Sequence, residues 1–209
     1  ADDRRAEGQS QVAEDIEIPF EGAMDIGGSM NIQFKADLSH LVEHRPSILY
    51  WVFHPGSNIG GIGAGLIRAV RMWDEWLVVW GYDINGEAPE LNEDEAKRIV
   101  RNLVGVPDLE MEITGHSLWG NNEQWATHMQ KGRVFIAGDA AHRHPPSHGL
   151  GSNTSIQDSY NLAWKLAAVI KGQAGTDLLE TYSVERAPIA KQIVTRANNS
   201  GREYGPIFE

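Results

Sequence analysis

Two periodicities divide the chain. Between residues 30 and 82 polar and apolar positions alternate. Asn31-Ile32-Gln33-Phe34-Lys35-Ala36 reads as a strand with one buried face. Residues 47–54, Ser-Ile-Leu-Tyr-Trp-Val-Phe-His, are rich in aromatic and β-branched side chains and predict a second strand. Pro, Gly, Ser and Asn at 55–58 predict a turn, and residues 62–71 and 75–82 two more strands. Asn92 with Glu95 three residues on is a capping box, opening a helix through Ile99, Val100 and Leu103 that Gly105 and Pro107 stop. Residues 109–114 alternate again, and 124–129 lead into a short apolar run at 134–137, the expected central strand.

Beyond residue 150 the period changes to 3.6. Ile156, Tyr160, Ala163, Ala167 and Ile170 form one apolar stripe on a helix over 154–171, which Gly172 ends. A second helix runs from about 177, with a kink expected at Pro188, to about 197. Glu185 and Arg186 pair across the helices or form a solvated pair. The first 15 residues are polar, as a terminus is. The fold class is therefore mixed, α/β (α+β): an antiparallel sheet, then an α/β part.

Charge removes one class of partner. A net charge of -11 with no basic run excludes a nucleic-acid surface. The absence of cysteine excludes disulfides and thiolate metal sites and fits a reducing compartment. No apolar stretch is long enough to span a membrane, and no signal peptide is visible. The first residue is not Met, which fits processing or a fragment.

The candidate chemistry lies in residues 132–153. An apolar run ends at Gly138-Asp139, and a loop dense in Pro and Gly opens onto the helix. Strand, tight loop and helix N-terminus together suit an anionic or phosphorylated ligand. Gly138 permits a close backbone approach, and Asp139 can accept hydrogen bonds from a sugar hydroxyl. Three rivals fare worse. His142, His144 and His148 lack a matched acidic or Cys ligand and lie in a Pro-rich turn, so no metal is expected. No G-x-S-x-G elbow supports a serine hydrolase. The glycines at 60–65 miss the dinucleotide spacing, because Leu66 stands where the third glycine belongs.

Gly138-Asp139-Ala140-Ala141-His142, then Pro145-Pro146, then Gly149-Leu150-Gly151-Ser152-Asn153, resembles the second flavin-binding motif of the FAD-dependent aromatic-ring monooxygenases. Asn153 to Asp158, Asn161 to Lys165 and Tyr182 to Pro188 narrow the resemblance to the phenol hydroxylase branch, of the kind acting on 2,4-dichlorophenol. It implies a partial FAD-binding domain with an antiparallel substrate-domain sheet. Residues 1–18 would be the remnant of a flavin motif, with Asp2 either a flavin contact or part of a solvated end. Residues 19–128 would be the middle substrate domain, and 129–209 the rest of the FAD domain. Asp139 would bind the ribityl chain. Pro146, Gly149, Leu150, Gly151, Ser152 and Asn153 would lie along the flavin ring.

The resemblance also implies NADPH and O2 as co-substrates, and a hydroxyl added ortho to that of a phenol. It implies a cytoplasmic enzyme and allows a homo-oligomer in the intact protein. The family's G-x-G-x-x-G motif and its catalytic acid are absent here, so the chain reads as a monooxygenase segment with little activity alone. A stand-alone binding module reusing the fold is the alternative. In the sheet, Trp51 and Phe53 either face a phenol ring or pack on neighbouring strands.

Overall fold

The computed structural model describes residues 10–53, 64–87, 89–146 and 149–204, without the side chains of residues 201 and 204. Asp2, the turn at 55–58, most of the 60–65 glycine run and His148 lie outside the described residues. The chain divides into two compact units: residues 27–120 with the end from 202, and residues 121–201 with those up to 26.

The sheet unit is built as the alternation dictates. Strand β1 is Phe20–Lys35, β2 Leu49–Val52, β3 Gly65–Arg71 and β4 Glu75–Tyr82, with the short helix α2, Ser39–Val42, after β1. Helix α3 is Glu93–Val104, capped by Asn92, whose Oδ1 accepts from the Glu95 N–H at 2.9 Å. Gly105 closes α3 in the left-handed conformation, at φ 78°. Antiparallel register pairs Met30 with Trp80, Ile32 with Val78 and Phe34 with Trp76. These residues, with Ile67 and the inward face of α3, Ala96, Ile99, Val100 and Leu103, form the core. Tyr50 and Val52 pack against that core. Leu49, Trp51 and Phe53 point to the opposite face and remain exposed.

Strand β5, Glu112–Ala126, follows α3 along the chain and lies beside β1 in the sheet. It is continuous over 15 residues, where the sequence predicts only 109–114 and a lead-in from 124. Its middle, Gly115 to Asn122, carries no alternation. Likewise β1 starts ten residues before the alternating stretch. A side chain at Gly22 would stand 1.9 Å from the Glu123 carbonyl oxygen, so glycine at φ 95° permits that close approach. Asp25 is also left-handed at φ 55°, and its N–H donates to Asn122 Oδ1 at 2.9 Å.

The second unit holds α1, Gln11–Asp15, and the segments after residue 120. Strand β6, Gln130–Lys131, pairs only with β7, Val134–Phe135, in a two-residue ribbon. The expected central strand at 134–137 is thus halved. Beyond Phe135 the backbone finds other partners: the Ile136 N–H donates to the Met129 carbonyl, and the Ile136 carbonyl accepts from Tyr182 Oη at 2.8 Å. A 3-10 turn, Gly138–Ala140, leads to β8, His142–Arg143, which pairs with β5.

Helices α4, Leu150–Ile170, and α5, Asp177–Tyr204, complete the unit. The apolar stripe predicted on α4 faces outward: Ile156, Tyr160 and Ile170 are 66%, 75% and 81% exposed. Thr154, Asp158 and Lys165 face inward instead. The reversal has an electrostatic cause, because Asp158 and Lys165 meet charged partners on α5, Arg186 and Glu185. Helix α5 continues through Pro188. The carbonyl that proline deprives of a donor is that of Val184, whose side chain is exposed.

Candidate functional site: the Gly138 corner and the open sheet face

The chain turns sharply after Ile136, and that corner is built around one carboxylate. Gly138 has φ 60°, and a Cβ there would meet Ser155 Oγ at 2.9 Å and Ser155 Cβ at 3.2 Å. Only glycine takes this conformation cheaply and lets α4 approach. The Gly138 N–H donates to Asp158 Oδ2 at 3.1 Å. Asp158 Oδ2 also lies 2.8 Å from His142 Nε2, and Oδ1 accepts from Arg186 Nε at 2.7 Å. One residue of α4 thereby ties the turn, the strand after it and α5 together.

Burial alone would raise the pKa of Asp158, but hydrogen bonds from His142, Arg186 and the Gly138 N–H together hold it below the usual carboxylate range. Beside this network Lys165 Nζ, fully buried, lies 2.8 Å from Glu185 Oε2, and Asn161 Nδ2 donates to the same oxygen at 2.7 Å. Glu185 and Arg186 are therefore both paired across the helices, each to a residue of α4 and not to each other.

From the sequence, Asp158 and Lys165 carry no individual role, His142 reads only as a rejected metal ligand and part of the Gly-Asp motif, and Arg186 only beside Glu185. Their signal was present in the spacing: Thr154, Asp158 and Lys165 share one helical face. A polar face is ordinarily solvated, so the apolar one drew the prediction inward.

The residues predicted to hold the cofactor line the outer side of this corner. Asp139 is exposed, and no described residue hydrogen-bonds its carboxylate; its backbone carbonyl accepts from Arg143 Nε at 3.1 Å. Pro146, Gly149, Ser152 and Asn153 are exposed, and Leu150 and Gly151 half-buried. Helix α4 begins at Leu150, four residues before the predicted start. Its N-cap, Gly149, is left-handed at φ 62° and supplies no side-chain cap. The first-turn N–H groups of α4 thus stand at an uncapped, exposed end, the electropositive pole of a 21-residue helix. Asn153 Nδ2 donates back to the Gly149 carbonyl at 2.9 Å and steadies the entry loop. His142 Nδ1 is buried with no hydrogen-bond partner among the described residues. An open carboxylate, an uncapped helix end and a backbone corner fixed from behind suit a ligand carrying hydroxyls and a polar ring. Among the described residues no group of three His, Asp or Glu side chains could hold a metal ion.

In the sheet unit, the face away from α3 carries the second predicted pair. Trp51 is 44% and Phe53 61% exposed, beside exposed Leu49 and Val70. Trp51 stands opposite Leu66, Leu66 opposite Val79, and Val79 opposite Asn31, one row crossing four strands. Along that row Trp51 is exposed, Leu66 and Asn31 are half-buried and Val79 is buried, so the open apolar area lies at the Leu49, Trp51 and Phe53 edge, where an exposed apolar patch suits a binding surface.

The FAD binding domain model matches residues 6–197, and the chain belongs to that family. Its relatives are flavoprotein monooxygenases. It is 69% identical over 189 residues to phenol 2-monooxygenase of Pseudomonas sp. (strain EST1001), covering 90% of this chain and 31% of that protein. It is 56% identical over 198 residues to 2,4-dichlorophenol 6-monooxygenase of Cupriavidus pinatubonensis (strain JMP 134 / LMG 1197), covering 95% and 33%. Among solved structures, aklavinone-11 hydroxylase with FAD and aklavinone superposes with a TM-score of 0.82 at 32% identity, covering 94% of this chain and 35% of that one. The flavin-dependent monooxygenase PieE with FAD and substrate gives 0.84 at 36% identity, covering 93% and 34%. The chain spans about a third of the length of each.

Proposed function

We propose that the chain is the sheet and cofactor-loop portion of a flavin-dependent monooxygenase that hydroxylates a phenol ortho to its hydroxyl, with NADPH as reductant and O2 as oxidant. The observation that carries this reading is the 69% identity to a phenol 2-monooxygenase across 90% of the chain. The fit of the corner residues to FAD supports it. Bound there, FAD would supply the redox chemistry that couples oxidation of NADPH to transfer of one oxygen atom of O2 to the ring.

The chain's own residues bind and orient. Asp139 accepts hydrogen bonds from the ribityl hydroxyls. The uncapped first turn of α4, Leu150 to Asn153, offers N–H groups and a positive pole to the electron-rich end of the flavin ring. Pro146 and Gly149 form a wall with little polar competition. Asp158 keeps the turn at Gly138 in place from the buried side. On the sheet, Trp51 and Phe53 give a flat phenol an apolar face that excludes water. No described helix is long and apolar enough to cross a membrane.

The test uses the full-length protein that contains this sequence. Purified protein should be yellow, and phenol or 2,4-dichlorophenol should speed NADPH oxidation and yield the corresponding catechol. A colourless protein that folds, or a flavoprotein that forms no catechol from either phenol, would overturn the reading.

A further inference from the structure

The open sheet face carries one polar group held in a fixed orientation. Trp119 Nε1 donates to Asn31 Oδ1 at 3.0 Å. An indole N–H can only donate, so this bond sets which end of the amide faces Trp119. Asn31 Nδ2, with two N–H groups, is then turned away from the indole and has no partner among the described residues. Asn31 ends the row Trp51–Leu66–Val79–Asn31, and Trp119 on β5 flanks it on the far side. The next row along the strands, Leu49–Arg68–Leu77–Gln33, is more polar. The apolar row bounded by two indoles therefore has a single aimed donor.

We propose that Asn31, oriented by Trp119, is a specificity-determining residue that donates its amide N–H to the hydroxyl oxygen of a phenolic substrate. This rests on the phenol monooxygenase reading above. The chemistry is complementary. A phenol is a flat apolar ring with one oxygen, which accepts a hydrogen bond as phenol and more strongly as phenolate. Two aliphatic side chains and two indoles serve the ring, and one amide serves the oxygen. A face that merely packed against another protein element would not require the amide that ends its apolar row to be locked by an indole.

The test is equilibrium binding to the full-length FAD-loaded protein, followed by flavin absorbance. Phenol is compared with fluorobenzene, which has the same shape and lacks the hydroxyl. Asn31→Ala should weaken phenol binding about 5- to 10-fold, as expected for one hydrogen bond, and leave fluorobenzene binding within twofold. Trp119→Phe keeps the ring and removes the N–H, and should weaken phenol in the same direction by less. FAD content and melting temperature of both variants serve as controls for folding. Unchanged phenol affinity in Asn31→Ala, or equal weakening of phenol and fluorobenzene, would overturn this inference alone. A wild-type flavoprotein that binds no phenol would overturn the underlying reading as well.

Discussion

Nε2 of His142 lies 2.8 Å from Oδ2 of Asp158, and both side chains are buried to within 1%. The same carboxylate takes the Gly138 N–H and Arg186 Nε. Taking a carboxylate out of water is costly unless every lone pair is engaged, and here three donors from three segments engage it. The turn that presents Asp139 is thus held from behind by buried groups of α4, α5 and the strand after it.

Removing that carboxylate should be severe. Asp158→Ala leaves a buried guanidinium and a buried imidazole without their anion, and should cost about 3–5 kcal/mol in urea unfolding. A loss under about 1 kcal/mol, within the range of ordinary surface substitutions, would mean the network is not a structural keystone.

The same residue sets an acid limit. Its pKa is depressed in the folded state, so its contribution is complete above the unfolded carboxylate value of about 3.9 and is lost as pH falls through the lower folded value. His144 acts at higher pH. Burial holds its pKa below the usual histidine range, so the unfolded chain takes up the proton first and stability falls as pH drops through about 6.5. His144→Gln should flatten stability between pH 7 and 5 (roughly the span over which an ordinary histidine titrates) and leave the acid limb intact. Equal slopes for the two proteins in that window would refute the role of His144.

Gly138→Ala tests the corner's geometry. The left-handed conformation costs an L-residue about 1–2 kcal/mol, and the clash with Ser155 adds to it. Gly138→Ala combined with Ser155→Gly removes the clash and should recover only that part. Full recovery would show that the backbone conformation carries no strain.

The exposure of Phe53 separates a binding role from a packing role. Phe53 is 61% exposed, so Phe53→Ala should leave the melting temperature nearly unchanged. In the full-length enzyme it should raise the KM for phenol and not that for NADPH. A fall in stability with unaltered KM would make this face core.

What the sequence told in advance depended on how each residue meets water. Strand β4, Glu75–Tyr82, and the Asn92 cap of α3 were legible because their patterns answer to local rules alone. The sheet core followed from alternation at Met30, Ile32 and Phe34. The middle of β5 was not legible: Gly115, Gly120, Asn121 and Asn122 have no strand preference, and pairing with neighbouring strands holds them extended. Helix α4 was predicted almost in full but facing the wrong way, because Asp158 and Lys165 are buried only by virtue of partners on α5 that no local pattern announces. The motif Gly138-Asp139 was visible in the sequence, whereas the buried network that fixes it required the fold.

The most direct measurement is FAD titration of the full-length apoprotein and its Asp139→Ala variant. Asp139 presents an exposed carboxylate at the fixed corner, and its loss should weaken FAD binding by about 1–3 kcal/mol, the range for a hydrogen bond to a charged group. That is a rise in Kd of about 5- to 150-fold, with melting temperature unchanged. Identical FAD affinity in the two proteins would contradict the assignment of this corner as the flavin site.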